Sequence, residues 1–542
     1  MESWVQPEEL KTDKIVKFSG GRGQDVWDML TGCAAGRTDI VRKLLEREPS
    51  LANCQWAYFS PLHFAVANGH AELVSLLLQH GADATAKSGL SWQDNPLQKA
   101  QDRGNIEIAE MLDRHLRRTL NSNPLGQTMA SVMKSRNVND SIAWLKANPD
   151  AIRISDERGN TALHWAVLTR QLKLIDYLTG QGADLEAMRA DGSKPIHLAM
   201  EGDYFYRAHR DLPAAALQNQ WLLVGYLLAK GAAYDHWIAA AAGDTEYVRA
   251  ALDSGAASAN ALDSSGRSAL FYAAKYGYEH TLKTLLEHGA DPNQAERDAP
   301  QGAALHAAAQ RNHIGCARLL LEHGANPNAD VESSGNPVSI ALNKGFKEMQ
   351  ELLYAYGGRA SLTAACWLGR TDLVGEILAA NPSAVHEDGD YGPLTLAAGF
   401  GHTGIVRLLL TYKPDLNRPW YANNAMGYAF GSGRDMTQLL LDRGADPNLA
   451  NWLGVTYLHQ LAGTGNIELA KLLIEYGADL EAVDDEHGTT PLGWAAKNGQ
   501  GEMVSFLLEQ GAKRKPDPVA DWAQPVVWAQ RRGHQSIMEQ LA

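Results

Sequence analysis

The apolar residues of this chain recur at helical rather than strand spacing. In Ala71-Glu72-Leu73-Val74-Ser75-Leu76-Leu77-Leu78 they fall at i, i+3 and i+4, which gives a short helix one face for a neighbour. Just upstream, Ser60-Pro61-Leu62-His63-Phe64-Ala65 opens another helix, with proline at a first helical position where no N–H is required. Gly69 breaks that first helix, and Gly81, in Gly81-Ala82-Asp83, suits the left-handed cap that ends the second. The pattern predicts helix, tight turn, helix and loop.

The same grammar returns along the chain. His288-Gly289-Ala290-Asp291-Pro292-Asn293 and His323-Gly324-Ala325-Asn326-Pro327-Asn328 are near-copies, about 35 residues apart, each after an apolar run. The opening tetrapeptide recurs at Thr161-Ala162-Leu163-His164, Lys194-Pro195-Ile196-His197, Ala303-Ala304-Leu305-His306, Thr456-Tyr457-Leu458-His459 and Thr490-Pro491-Leu492-Gly493. A phrase repeated at about 33 residues marks a solenoid, whose units bury their apolar faces only against neighbours. These residues resemble the ankyrin repeat, with its Thr-Pro-Leu-His opening and Gly-Ala-Asp ending.

The resemblance covers about residues 25–542 in about sixteen units, after a polar lead-in at residues 1–24. It implies an all-α solenoid of stacked helix-turn-helix units with projecting hairpin loops. One continuous array is expected, because no Pro/Ser-rich linker interrupts it. Sub-blocks at 25–125, 126–234, 235–358 and 359–542 are the alternative division.

Two departures from the template draw attention. Hairpin fingers are missing before His236-Trp237 and after Gly357-Gly358, where the next unit begins almost at once. Between Gly182 and Gly231 the chain is longer than one repeat by roughly half a unit. The extra residues, 203–213, include Tyr204, Tyr206 and His209 among acidic and basic groups. Insertions in solenoids map to loops on one face, often the binding face.

Charge and composition then narrow the function. A formal charge of −14 argues against a nucleic-acid groove, which needs a basic stripe. No apolar run approaches a membrane helix, and residues 1–18 have no signal-peptide core, so a cytoplasmic protein is expected. Four scattered cysteines do not make a disulfide framework; Cys33, Cys316 and Cys366 read as small core residues. Eighteen histidines raise the question of metal, but none form His-Glu-x-x-His or an equivalent ligand spacing. His63, His164, His197, His306 and His459 occupy the tetrapeptide's fourth place, where the resemblance implies a structural imidazole bonded to the adjoining turn. Neither a nucleophile elbow nor a phosphate loop is present, so no cofactor and no metal are expected.

The aromatic residues are the anomaly, with fourteen tryptophans. The template places the residue after the tetrapeptide on the first helix, facing the concave groove: Phe64, Trp165, Tyr272, Trp494 and Trp528. Hairpin tips add Trp56, Tyr58, Trp92, Tyr391, Trp420, Tyr421 and Trp452, and Trp237 opens a fingerless unit. Loop tips are normally polar, and Trp and Tyr are common interface anchors. Asp390, Asp485 and Glu486 accompany these aromatics. Aromatics beside carboxylates suit a Lys/Arg-bearing peptide, through cation–π contact and ion pairs. The expected function is a non-catalytic scaffold that binds a protein or peptide through its groove and fingertips. The alternative is a carbohydrate-active protein, with sugar rings stacked on tryptophan and paired carboxylates as acid and base.

Overall fold

A computed structural model describes residues 4–16, 19–88, 95–201, 220–297, 299–331, 335–386, 392–418 and 424–542. Among the described residues there are thirty-two α-helices, most of which pack in consecutive pairs, and no β-strand longer than an isolated bridge. The fingers are closed by such single bridges, Ser155 to Thr161, Leu262 to Ser268 and Ala450 to Thr456.

The chain forms two compact units. One comprises Met1–Ala82, Ala86–Ala109 and Ala360–Ala542; the other comprises Asp83–Thr85 and Glu110–Arg359. In the first, the first helices of successive repeats stack as Gly23–Ala35, Pro61–Ala67 and Pro96–Asp102, and again as Tyr457–Thr464, Pro491–Lys497 and Pro525–Arg532. In the second, His236–Ala242, Ala269–Tyr276, Ala304–Arg311 and Pro337–Lys344 stack in the same manner. Their Ala-rich faces, such as Ala239, Ala240, Ala273, Ala274, Ala307 and Ala308, are fully or almost fully buried and allow close approach.

Each phrase noticed in the sequence has a bonding role. The asparagine of Pro-Asn brackets the next repeat: Asn293 donates its amide to the Gly324 carbonyl (2.9 Å), and its Oδ1 accepts the Asn326 N–H (2.8 Å). Asn260, Asn328, Asn417 and Asn448 make the same two-point bracket to the repeats that follow them. Where Glu186 and Glu481 replace asparagine, only the acceptor half survives, on the Ala233 and Lys513 amides. The histidine that opens a second helix donates across to the preceding first helix, as His313 Nε2 does to the Lys275 carbonyl (3.2 Å). Its ring fills the space above Gly277, where a Cβ would come within 2.6 Å of His313 Nδ1 and the left-handed φ of +79° already favours glycine.

Three of the five tetrapeptide histidines, His63, His164 and His459, form capping boxes. The Thr161 N–H donates to His164 Nδ1 (3.2 Å), and His164 Nε2 meets the Ser193 carbonyl (3.2 Å). His63 sits likewise between the Ser60 N–H and the Ala86 carbonyl, and His459 between the Thr456 N–H and the Thr489 carbonyl. Because a backbone N–H points at Nδ1, that nitrogen must accept, and the ring is held neutral with its proton on Nε2. Burial, reinforced by Lys99, pushes His63 down to about 3; burial and Arg189 push His164 to about 4. The unfolded chain takes up protons below about 6.5, while these folded sites do so only near those lower values. Their contribution to stability is therefore present above pH 6.5 and lost as the pH falls through 4 and then 3. Thermal unfolding followed by circular dichroism should shift to lower temperature over that range. The double variant His63→Asn/His164→Asn should show a shallower descent, and an unchanged slope would contradict the assignment.

The fingerless units are capped directly. Asp235 Oδ1 accepts the Trp237 and Ile238 N–H groups (3.1 and 3.0 Å), and Ser361 Oγ accepts the Ala364 N–H (3.0 Å). A helix N-terminus satisfied by its own cap needs no finger to complete it. All four cysteines are buried, and burial raises the Cys33, Cys54 and Cys316 thiols, which disfavours the reactive thiolate.

Candidate functional site

At three repeats the residue after the tetrapeptide is buried and bonded to the carboxylate of its own finger. Trp165 Nε1 donates to Asp156 Oδ2 (3.0 Å), the Tyr272 hydroxyl to Asp263 Oδ2 (2.7 Å), and Trp494 Nε1 to Asp484 Oδ2 (2.9 Å). The other oxygen, Oδ1, accepts backbone N–H groups of the finger turn: Arg158 and Asn160 on Asp156, Ser265 and Arg267 on Asp263, His487 on Asp484. All three aromatic side chains are 5% exposed or less. The sequence reading turned them toward an open groove; in the structure they hold the fingers to the helices. Asp484→Asn is expected to cost about 1–2 kcal/mol, because it weakens charge-assisted bonds without emptying the space. Urea unfolding would measure it, and an unaltered midpoint would refute the anchoring role.

The first unit contains a seam between its early and late repeats. Arg103, just after the helix Pro96–Asp102, donates through Nη2 to the carbonyls of Asp485 (3.1 Å) and Glu486 (2.9 Å), and through Nη1 to Ala67 (2.8 Å). Its guanidinium lies 5.1 Å from the Trp522 ring centre. Beside it, Arg532 Nη2 pairs with Asp102 Oδ2 at 2.7 Å. These partners are 382 and 430 positions apart in the chain. Within the seam the His487 ring sits 4.8 Å from Trp494 and 5.6 Å from Trp528. Burial, then the charges of Lys497, Lys99, Arg103 and Arg532, hold His487 well below its ordinary value, so it stays neutral. Arg531 and Lys497 lie over the Trp528 ring at 5.5 and 5.7 Å.

A second, apolar patch lies along the same unit. Trp452 meets Trp4 (5.2 Å between ring centres), Phe64 (5.4 Å) and Phe59 (5.8 Å). The finger that presents Phe59 is a tight hairpin, with Trp56 and Phe59 exchanging backbone bonds of 3.0 and 2.9 Å. Ala57 and Tyr58 at its tip both take left-handed backbone, φ 50° and 66°. That form matches the twist of a two-residue hairpin and costs a non-glycine residue about 1–2 kcal/mol.

Trp452, Asp485 and Glu486 therefore meet residues from the chain's first repeats, and Trp494 joins the cluster around His487. Trp56 and Tyr58 are half-buried at their own tip. Trp237, in the other unit, packs at a tilt against His236, with ring centres 4.0 Å apart, and donates to the Ala261 carbonyl at 3.1 Å. Trp92, Tyr204, Tyr206, His209, Asp390, Tyr391, Trp420 and Tyr421 lie outside the described residues, as does the insertion at 203–213. Among the described residues no group of three or more His, Cys, Asp or Glu side chains could hold a metal ion, and no helix is long and apolar enough to cross a membrane.

A family model described as ankyrin repeats in three copies matches residues 29–123, 214–296, 362–451 and 435–517, and a single ankyrin-repeat model matches 158–189 and 303–330. Together these cover well over half of the chain. The chain belongs to the ankyrin-repeat family.

Several curated relatives match part of the chain. A palmitoyltransferase, ZDHHC13 of Mus musculus, is 32% identical over 142 residues, 26% of this chain and 23% of its own. A transient receptor potential cation channel subfamily A member 1 homolog of Caenorhabditis elegans is 28% identical over 188 residues, 34% of this chain and 12% of its own. The human ankyrin repeat and KH domain-containing protein 1 is 34% identical over 80 residues, 15% of this chain and 3% of its own. The chain thus spans about a quarter or less of the length of these curated relatives.

Sequence reasoning named Trp452, Asp485 and Glu486 but missed what faces them: Trp4, Phe59, Asp102, Arg103, Trp522 and Arg532. One signal was available. Lys99, Arg103, Lys497, Arg531 and Arg532 put cations in the last turns of their first helices or just past them, although Lys134, Arg311 and Lys344 do the same in the other unit. Cations at those ends interact favourably with the helix dipole, which made them easy to pass over.

Proposed function

We propose that this ankyrin-repeat chain is a non-catalytic scaffold that recognises a protein or peptide through its concave groove and its aromatic and acidic fingertips, in a cytoplasmic setting. A general role in protein interaction is what the repeats support; recognition by the tips is the further step. The observation that carries it is the seat of Arg103, whose guanidinium bonds the 485–486 tip and lies over Trp522. A tip that accepts a guanidinium from a remote part of its own chain has the chemistry to accept one from a partner, through carbonyl acceptors, nearby carboxylates and an aromatic face. The exposed Asp485 carboxylate adds charge attraction at the rim.

The test is partner capture with residue-resolved cross-linking on the full chain, set beside the variant Trp452→Ala/Asp485→Ala. Loss of the cross-linked partner from the variant is expected, with cross-links in the wild type falling on residues 450–490. Retention of every partner at wild-type occupancy would remove the fingertip reading.

A further inference from the structure

Trp4 occupies the aromatic patch in the way a peptide ligand would. Its ring centre lies 5.0 Å from Phe64, edge-on, and 5.2 Å from Trp452. Five positions later Glu9 meets Arg418 at 3.3 Å. Between these two points the segment is braced on itself and on the first repeat. Gln6 Nε2 donates to the Leu10 carbonyl (3.1 Å) and to Gln24 Oε1 (3.1 Å), and Leu10 is fully buried. The segment therefore reaches from repeats near residue 24 to repeats near residues 418 and 452, all within one unit.

We propose that the cage of Phe59, Phe64 and Trp452, with Arg418 at its rim, is a peptide-recognition site held here by the chain's own Trp4–Glu9 segment. Its external partner is a protein segment that presents a tryptophan with an acidic residue five positions later. The assignment rests on the fingertip reading above and specifies what one tip recognises. Two observations make the internal occupant exchangeable. The Trp4 indole N–H is buried and meets no hydrogen-bond partner among the described residues, so the self-complex carries an unsatisfied donor that a partner with an acceptor nearby would relieve. The Glu9–Arg418 pair is partly exposed, with 28% and 40% of the two side chains accessible, so its exchange for an equivalent pair loses little. Charge complementarity fixes the sign of the partner's second anchor.

The experiment titrates a fluorescein-labelled peptide of residues 4–12 into the full-length chain and follows anisotropy. Binding to the Trp4→Ala chain is expected to be at least tenfold tighter than to the wild type, whose cage is filled. A Trp4→Ala peptide should lose that binding. Arg418→Glu in the Trp4→Ala chain should weaken the wild-type peptide severalfold, and a Glu9→Arg peptide should recover it. Should Trp4→Ala unfold the chain, Glu9→Arg loosens the segment from its rim and must show the same direction of gain. Absence of saturable binding to a variant that still unfolds cooperatively would overturn the assignment, as would equal binding to Trp4→Ala and Trp4→Ala/Trp452→Ala chains. Those results would leave the fingertip reading standing, which falls only if Trp452→Ala/Asp485→Ala keeps its partners.

Discussion

Asp102→Ala should destabilise the first unit by about 3–4 kcal/mol and loosen the finger around Asp484 at the same time. The expectation follows from the company Asp102 keeps. Its carboxylate is almost wholly buried and pairs with Arg532 at 2.7 Å, while Arg103 holds the next tip through its carbonyls. Removing one member of a buried pair leaves the other charge uncompensated, which costs about 3–5 kcal/mol; the 23% exposure of Arg532 places the estimate at the lower end. The neighbouring Arg531 adds to the effect, because the Asp102 charge offsets its cation as well as that of Arg532. Urea unfolding gives the energy. Hydrogen exchange at the His487 and Thr489 amides, both bonded to Asp484, should speed up with it. Arg103→Lys tests the fork itself. It keeps the charge, cannot reach two tip carbonyls and Ala67 together, and should cost about 1–2 kcal/mol. A neutral outcome for Asp102→Ala would mean that the seam contributes nothing to the fold.

Trp452→Ala is the second large effect, expected at about 3 kcal/mol, with the loss confined to the first unit. The ring contacts Trp4, Phe59 and Phe64 together, and deletion of a large packed aromatic leaves a cavity that fixed neighbours cannot close. Partial exposure of the indole keeps the figure at the low end of the usual 3–5 kcal/mol range. Trp452→Phe preserves edge contacts and should cost less than half as much. Thermal unfolding of both variants settles the comparison: equal costs would show that the ring's bulk does not matter. Trp237→Ala, in the other unit, supplies the contrast, since it removes a ring packed against His236 and one 3.1 Å bond without touching the cage.

The repeat was legible because its bonds are local. Proline at the helix start, histidine in the capping box, glycine under the next histidine and asparagine across to the next glycine all act between residues of the same or adjacent repeats. Their spacing is therefore written into the sequence. The fate of the aromatics was only half legible. The position after the tetrapeptide could be placed on the first helix, but its direction depends on an aspartate nine or ten residues upstream that pulls the indole or phenol into the finger. That aspartate was visible as part of a turn and not as an acceptor. The seam was not legible at all. No local pattern ties Arg103 to Glu486 or Trp4 to Trp452, since each pair is separated by most of the chain. What the sequence offered was the chemistry on one side, aromatics beside carboxylates awaiting a cation. The cation it pointed to on a partner is supplied, in this structure, by the chain's own third repeat.

The seam is the claim on which the rest depends, and a single cross-linking measurement addresses it. Asp102→Cys and Arg532→Cys in the full-length chain, treated with a short bismaleimide under conditions that leave the four buried native cysteines unreactive, should give an intrachain link in the monomer. Mass spectrometry would locate it between the helix Pro96–Asp102 and the helix Pro525–Arg532. Complete single-site labelling of both cysteines with no intrachain link would contradict the account.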